Sequence, residues 1–170
     1  MDVVVVGCGF VGSFLAYLLA KKGTSVAVYE EHHTIGYPQH CAGLVSVSGL
    51  RRLGILEIVE KESIILNRIR CAKVIADRKS ITICRPVADL LVVDRPLLDR
   101  LLAEKAEDYG ASIHTGAKVQ RMNPKGLVRV DSKNVEGSII VDAEGAGRRL
   151  LRSISGEDAC RLPALQMDIV

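Results

Sequence analysis

The sequence predicts an α/β fold, a parallel sheet in which a β-meander takes the place of one helical crossover. Three observations predict it. Four successive valines, Val3 to Val6, run directly into a glycine-rich turn and a segment of helical period. β-rich and helix-period segments then alternate along the chain. Finally, positions 118 to 138 break into short strand-like pieces separated by turn residues, where a parallel sheet ordinarily carries a helix.

Val3 to Val6 shows no polar alternation, as expected of a central strand covered on both faces. Phe14, Leu15, Leu18 and Leu19 recur at helical spacing until Lys21, Lys22 and Gly23 close the helix. Ser25 to Glu30 is the second strand, and Glu31 to Pro38 is loop. Between Gln39 and Leu56 the pattern supports only a short helix near Ser48 to Leu53. Lys73 to Ala76 and Ile81 to Cys84 flank the polar turn Asp77 to Ser80, a hairpin outside the nucleotide unit and part of a substrate-facing insertion spanning 36–93. Leu90 to Val93 is a further strand. Pro96 opens a helix with Leu98, Leu101, Leu102, Ala106 and Tyr109 as its apolar stripe, ended by Gly110. Ser112 to His114 returns beside strand two, the meander follows, and Ile139 to Ala143 re-enters the sheet. Leu165 to Val170 reads as an apolar strand whose partner lies elsewhere, which marks a domain cut short.

Composition narrows the function classes. Apolar residues make up 48% and aromatics 4%, with no Trp, so Val, Ile, Leu and Ala fill the core of a single 170-residue domain. Lys and Arg number 23 against 20 Asp and Glu, a balance that argues against a nucleic-acid surface. The five cysteines form no C-x-x-C pair and stand at no metal-ligand spacing with histidine, which predicts no metal site and reduced thiols in a cytoplasmic protein. Asp2 and three interrupting glycines argue against reading the apolar N-terminus as a signal peptide. No stretch reaches the ~18 to 20 uninterrupted apolar residues that a membrane-spanning helix needs.

Gly7-Cys8-Gly9-Phe10-Val11-Gly12 matches G-x-G-x-x-G. The pattern alone is weak, but it follows a buried strand, opens an amphipathic helix, and is followed by an acidic residue, Glu30, near the required offset of about 20 residues. Gly7 permits the turn, Gly9 lets the backbone approach a pyrophosphate, and Gly12 lets the helix pack close to the sheet. The helix N-terminus would supply N–H groups and partial positive charge. Glu30 would accept from both ribose hydroxyls and would repel a 2′-phosphate, which argues against NADP. Gly7, Gly9, Phe10, Val11, Gly12 and Glu30 are therefore candidate dinucleotide-binding residues. His32, His33 and His40 pair with no nucleophile or metal and read as surface residues.

Gly36-Tyr37-Pro38-Gln39-His40-Cys41-Ala42-Gly43-Leu44-Val45-Ser46 resembles the G-x-P-x-x-C-x-G-L-x-S stretch of the geranylgeranyl reductase family, FAD-dependent reductases of isoprenoid lipids. Val93-Asp94-Arg95-Pro96-Leu97-Leu98-Asp99 is similar to the family's R-x-x-[FL]-D turn, and Asp142-Ala143-Glu144-Gly145 to its A-D-G. The resemblance covers positions 2 to about 150. It implies a Rossmann-like FAD-binding domain of the glutathione-reductase-like class, truncated, with the family's closing G-D segment and lipid-binding part missing. It also implies that Gly12, Glu30, Cys41, Ala42, Gly43, Arg95, Val119 and Gly145 lie along FAD. Arg95, at a helix start, either reaches phosphate or ribityl oxygens or is simply solvated. Cys41 is either a thiol near the flavin or an inert structural one. No catalytic side chain is identified.

The function so implied is reduction of geranylgeranyl double bonds in isoprenoid membrane lipids, with an isoprenoid lipid as substrate and peripheral contact with a membrane. A second chain carrying the C-terminal half is the expected partner. The rival readings are an FAD monooxygenase of the aromatic-hydroxylase type, which shares the glycine loop and meander, and a non-catalytic fragment that folds only with a second chain.

Overall fold

The computed structural model describes residues 1–156 apart from 124 and 148. The expected strand at Leu165 to Val170 lies outside the described residues. The chain divides into two units, Met1–Gln39 with the chain from Asp99 onward, and His40–Leu98.

In the first unit, β1 (Val3–Val6) is fully buried. It has β12 (Ile139–Asp142) on one side and β2 (Val26–Tyr29) on the other, and β8 (Ser112–His114) follows β2. All three pairings are parallel, with Val3 opposite Val26 and Ile139. Side chains alternate across a strand, so β1 serves both faces. Val4 and Val6 join Val119, Val128, Val130 and Leu150 in one buried cluster. Helix α1 (Phe10–Ala20) turns Gly12, Ser13, Ala16, Tyr17 and Ala20 inward. Gly23, at φ +82°, ends the chain's exit from that helix.

The meander is present, but its third strand is Lys133–Glu136 rather than the expected Val135 to Ser138, because the turn is only Asp131-Ser132 and Val130 pairs directly with Lys133. β9 (Val119–Met122), β10 (Leu127–Val130) and β11 (Lys133–Glu136) form an antiparallel sheet in the order β11-β10-β9. β10 turns Val128 and Val130 into the core and Arg129 outward. Because the three strands are neighbours in sequence, this crossover satisfies its own backbone hydrogen bonds and needs no helix to do so.

In the second unit, β7 (Leu90–Val93) lies between β3 (Leu44–Ser46) and β4 (Ile65–Ile69), both antiparallel to it. Helix α2 (Val47–Arg52) begins where the Ser46 hydroxyl accepts the Gly49 N–H at 3.0 Å, a side-chain N-cap. Helix α3 (Leu56–Lys61) follows, and Leu50, Ile55, Val59, Ile64, Leu91 and Val93 are buried in this unit. β5 (Cys71–Ala76) and β6 (Lys79–Cys84) form the expected hairpin, exposed along its whole length.

Three expectations are corrected. The thiols are not all reduced, since Cys71 and Cys84 form a disulfide. The hairpin register places them opposite each other at its open end. Helix α4 (Arg95–Asp108) includes Arg95. It starts one residue early because the Asp94 carboxylate accepts the Leu97 N–H at 2.9 Å and the Asp94 carbonyl accepts from Leu98 at 2.9 Å. Tyr109 is no core residue, being 51% exposed beyond the end of α4 with its ring 5.9 Å from that of Tyr17.

Candidate nucleotide site

The first unit brings three strand ends together. Gly7 donates to the carbonyl of Tyr29 at 2.8 Å, joining the glycine loop to the end of β2. Ala143 donates to the carbonyl of Val6 at 2.8 Å, joining the same loop to the end of β12. Gly7 has φ +94°, and a Cβ there would stand 2.5 Å from the Ala143 carbonyl oxygen. Both the backbone angle and the neighbouring strand therefore require glycine. A Cβ on Gly12 would overlap the Gly7 carbonyl oxygen and stand 3.4 Å from Val5 Cγ1. Gly12 thus sets how closely α1 approaches the sheet.

Gly9 is different. Its φ of −72° is open to any residue, and a Cβ added there would meet no protein atom within 4 Å. Neither backbone strain nor internal packing accounts for a glycine at this position, which caps α1. No side chain caps the helix, and no acidic residue stands in its first turn. Space at the positive end of a helix dipole fits a pyrophosphate, so the glycine loop passes this test as a dinucleotide cradle. Val11 is 64% exposed on the same turn, and Phe10 stacks on Phe14 with centroids 6.0 Å apart.

Glu30 stands where β2 ends and is 9% exposed. Its Oε2 accepts the Cys8 N–H at 2.7 Å, so the carboxylate is tied directly to the glycine loop. Its Oε1 accepts the backbone N–H of His32 at 2.9 Å and lies 2.7 Å from His32 Nδ1. The backbone is held as well, since Glu30 donates to the His114 carbonyl at 2.9 Å and accepts from Ala117 at 2.8 Å. His32 is therefore no isolated surface residue. Looking for nucleophile or metal partners misses it because its partner is the Glu30 carboxylate two residues away. His33 lies with its ring against Gly116. Cys8 is buried, and desolvation together with the nearby charges of Glu30, Asp99 and Glu107 pushes its thiol up to about 12, which makes it chemically inert at neutral pH.

The remaining candidates fall in both units. Val119 is buried in the core, and its carbonyl accepts from Arg149 at 2.6 Å. Gly145, at φ +75°, follows β12 beyond Glu144, whose carboxylate accepts the Leu150 N–H at 2.7 Å. In the second unit Gly43, at φ +75°, packs so closely on Val93 that a Cβ would overlap the Val93 carbonyl oxygen. Val93 in turn donates to the Gly43 carbonyl at 2.9 Å. The Cys41-Ala42-Gly43 segment is thereby fixed beside the Val93-Asp94-Arg95 turn, with the Cys41 sulfur accepting the Gly43 N–H at 3.4 Å. Among the described residues, no group of three or more His, Cys, Asp or Glu could hold a metal ion, and no helix is long and apolar enough to cross a membrane.

Comparison with known proteins gives this geometry its context. Residues 2–78 match the family model described as FAD dependent oxidoreductase. Over those residues the chain resembles the FAD-dependent oxidoreductases. Within them it resembles the geranylgeranyl reductases over their FAD-binding part. It is 36% identical over 115 residues to digeranylgeranylglycerophospholipid reductase 2 of Methanothermobacter thermautotrophicus, which covers 67% of this chain and 29% of that protein. The chain thus spans about a third of the length of that reductase. An uncharacterized Methanosarcina barkeri protein from the nifH2 5′ region is 30% identical across 95% of this chain and 94% of its own length. A geranylgeranyl bacteriochlorophyll reductase-like protein of Thermoplasma acidophilum shares the fold, with a TM-score of 0.77 at 24% identity over 89% of this chain and 41% of that one. The cofactor of this family is FAD, and the parallel sheet with its glycine loop is the Rossmann-like fold that the sequence predicts.

Proposed function

We propose that this oxidoreductase is the FAD-binding portion of a reductase that saturates geranylgeranyl chains of isoprenoid membrane lipids. The observation that carries this reading is the Gly9 cradle closed by Glu30, within a chain that matches named reductases of such lipids. Gly7, Gly9, Phe10, Val11 and Gly12 would hold the pyrophosphate against the start of α1, and Glu30 the adenosine ribose. Gly145, Val119 and the Cys41-Ala42-Gly43 segment with Arg95 would line the remaining length of the cofactor. When bound and reduced, FAD supplies hydride to a carbon–carbon double bond. The chain's own residues bind and orient the cofactor, and none is assigned a proton-transfer role.

Because the chain spans 29% of the matched reductase, we further propose that turnover needs the lipid-binding portion, supplied by a second polypeptide. The exposed 71–84 hairpin belongs to the substrate-facing side in this reading. The aromatic-hydroxylase reading gains no specific support from these residues. The test is to purify the chain alone and together with the C-terminal portion of a family reductase. We would measure bound FAD by absorbance and follow a geranylgeranyl-bearing lipid by mass spectrometry. Flavin retention in both preparations, with hydrogen added to the lipid only in the paired one, supports the proposal. Absence of flavin from both overturns it.

A further inference from the structure

An ionised carboxylate offers about four lone-pair sites, two on each oxygen. In Glu30 three are already used, by the Cys8 N–H on Oε2 and by the His32 N–H and Nδ1 on Oε1. A ribose diol that donates both hydroxyls needs two, so one internal bond must open for the sugar to bind. The backbone bonds are the fixed ones. Cys8 is itself buried, and the His32 carbonyl is anchored by the Gly116 N–H at 3.0 Å. The imidazole is the movable one, since its side chain is 47% exposed against 12% for Glu30 and needs only a rotamer change to leave.

Resting on the assignment of Glu30 to the ribose, we propose that the His32 ring is a gate on that carboxylate, occupying the acceptor site that the second ribose hydroxyl requires. The gate responds to protons. A neutral ring donates from Nδ1 in only one of its two tautomers, whereas an imidazolium always donates and adds an ionic attraction. Protonation therefore tightens the ring on Glu30 and lowers affinity for an adenosine diphosphate group. The charged neighbours of the ring are Glu30 at the end of β2 and Glu31 beside it. Glu31 is paired with Lys118 of the β8–β9 connection at 2.7 Å, and Arg149 of helix α5 (Arg149–Ser155) adds its charge to the same field. His33, against Gly116, is the other nearby imidazole.

The test measures ADP binding by calorimetry to the purified chain and its His32→Ala, His32→Gln and Glu30→Ala variants, between about pH 5.5 and 8, where imidazoles ordinarily change charge. ADP carries the ribose and pyrophosphate without the flavin. Release of one competing hydrogen bond should make His32→Ala and His32→Gln bind about two- to tenfold tighter at the acid end and flatten the pH dependence. Imidazole nitrogen NMR of the ligand-free protein should show the His32 signal shifting in Glu30→Ala, a readout that requires no ligand. Equal or weaker binding by both His32 variants, or an unchanged pH slope, overturns the gate while leaving Glu30 as the ribose acceptor. Unaltered ADP binding by Glu30→Ala, or none by any protein, overturns the ribose assignment and the gate with it.

Discussion

A methyl group on Gly12 would fall on the carbonyl oxygen of Gly7, whereas one on Gly9, in the same loop, would touch no protein atom. Two glycines of one motif thus differ: packing accounts for Gly12, whereas Gly9 is left to the proposed pyrophosphate. Gly12→Ala should lower stability by about 1–3 kcal/mol or more, because backbone must move to admit the methyl group. Gly9→Ala should stay within about 1 kcal/mol of the parent in urea unfolding. Gly9→Val should keep the fold and lose ADP and FAD binding. A Gly9→Val protein that binds normally would remove the cradle from the site.

Glu30 serves the fold as well as its proposed place at the ribose. Glu30→Ala strands the buried Cys8 N–H and should cost about 1–3 kcal/mol of stability. It should also weaken FAD binding by ~1.5 to 3 kcal/mol through lost hydrogen bonds to a charged acceptor. Glu30→Gln retains an oxygen for Cys8 and should recover most of the stability but less of the affinity. Equal losses in both quantities for the two variants would show that charge plays no separate part.

The Glu31–Lys118 pair offers a pH test. The hydrogen bond from the Lys118 ammonium, opposed by partial desolvation and helped by the charges of Lys118, His32 and Arg149, holds the Glu31 carboxyl below its ordinary range. A carboxyl lowered in the folded state stabilises the protein above its unfolded titration and loses that contribution as pH falls through the folded value. Both partners are about half exposed, so Glu31→Gln should cost no more than about 1 kcal/mol at pH 7 and progressively less as pH falls through the folded value. Added salt should shrink the difference. A cost that persists in acid would assign the effect to packing.

Thiol chemistry separates the cysteines. Cys8, buried and with its thiol pushed up to about 12, should resist iodoacetamide at pH 8 until the protein unfolds. Cys41, half-buried, should react first among the free thiols of the described residues. Cys71 and Cys84 should label only after reduction, and amides 72–83 should then exchange faster, because an isolated two-stranded hairpin is marginally stable. Labelling of both in the untreated protein would contradict the disulfide.

The glycine-loop βαβ unit was legible because strand, glycine turn, helix and acid are consecutive: Val3 to Glu30 specify one another at short range. The meander was legible from its turns, and β8 from its place after Gly110. The second unit was less so. β3, α3 and β4 are short, and β3 and β4 hold to the chain by pairing with β7, some 21–48 residues away in sequence, which no local period encodes. The Cys71–Cys84 pair did carry a signal, since the two cysteines are equidistant from the Asp77-Arg78 turn, but a search for closely spaced pairs passes over it. His32 carried none. Its meaning depends on Glu30 folding back onto Cys8, a contact across 22 positions.

The register that places Val3 between Val26 and Ile139 also sets an order of events at the ribosome. The first strand to emerge can find β2 within seconds, but its other edge waits until Ile139 has been made. At about 5–20 residues per second, that is roughly five to twenty seconds later. Through this interval an all-valine edge stands open beside the glycine loop. The meander, whose strands pair with their sequence neighbours, can close before β12 docks and deliver the last strand already aligned. A nascent chain paused before Ile139 is thus the species most prone to pair with its neighbours on a polysome, and the one a trigger-factor-like holdase would have most reason to shield.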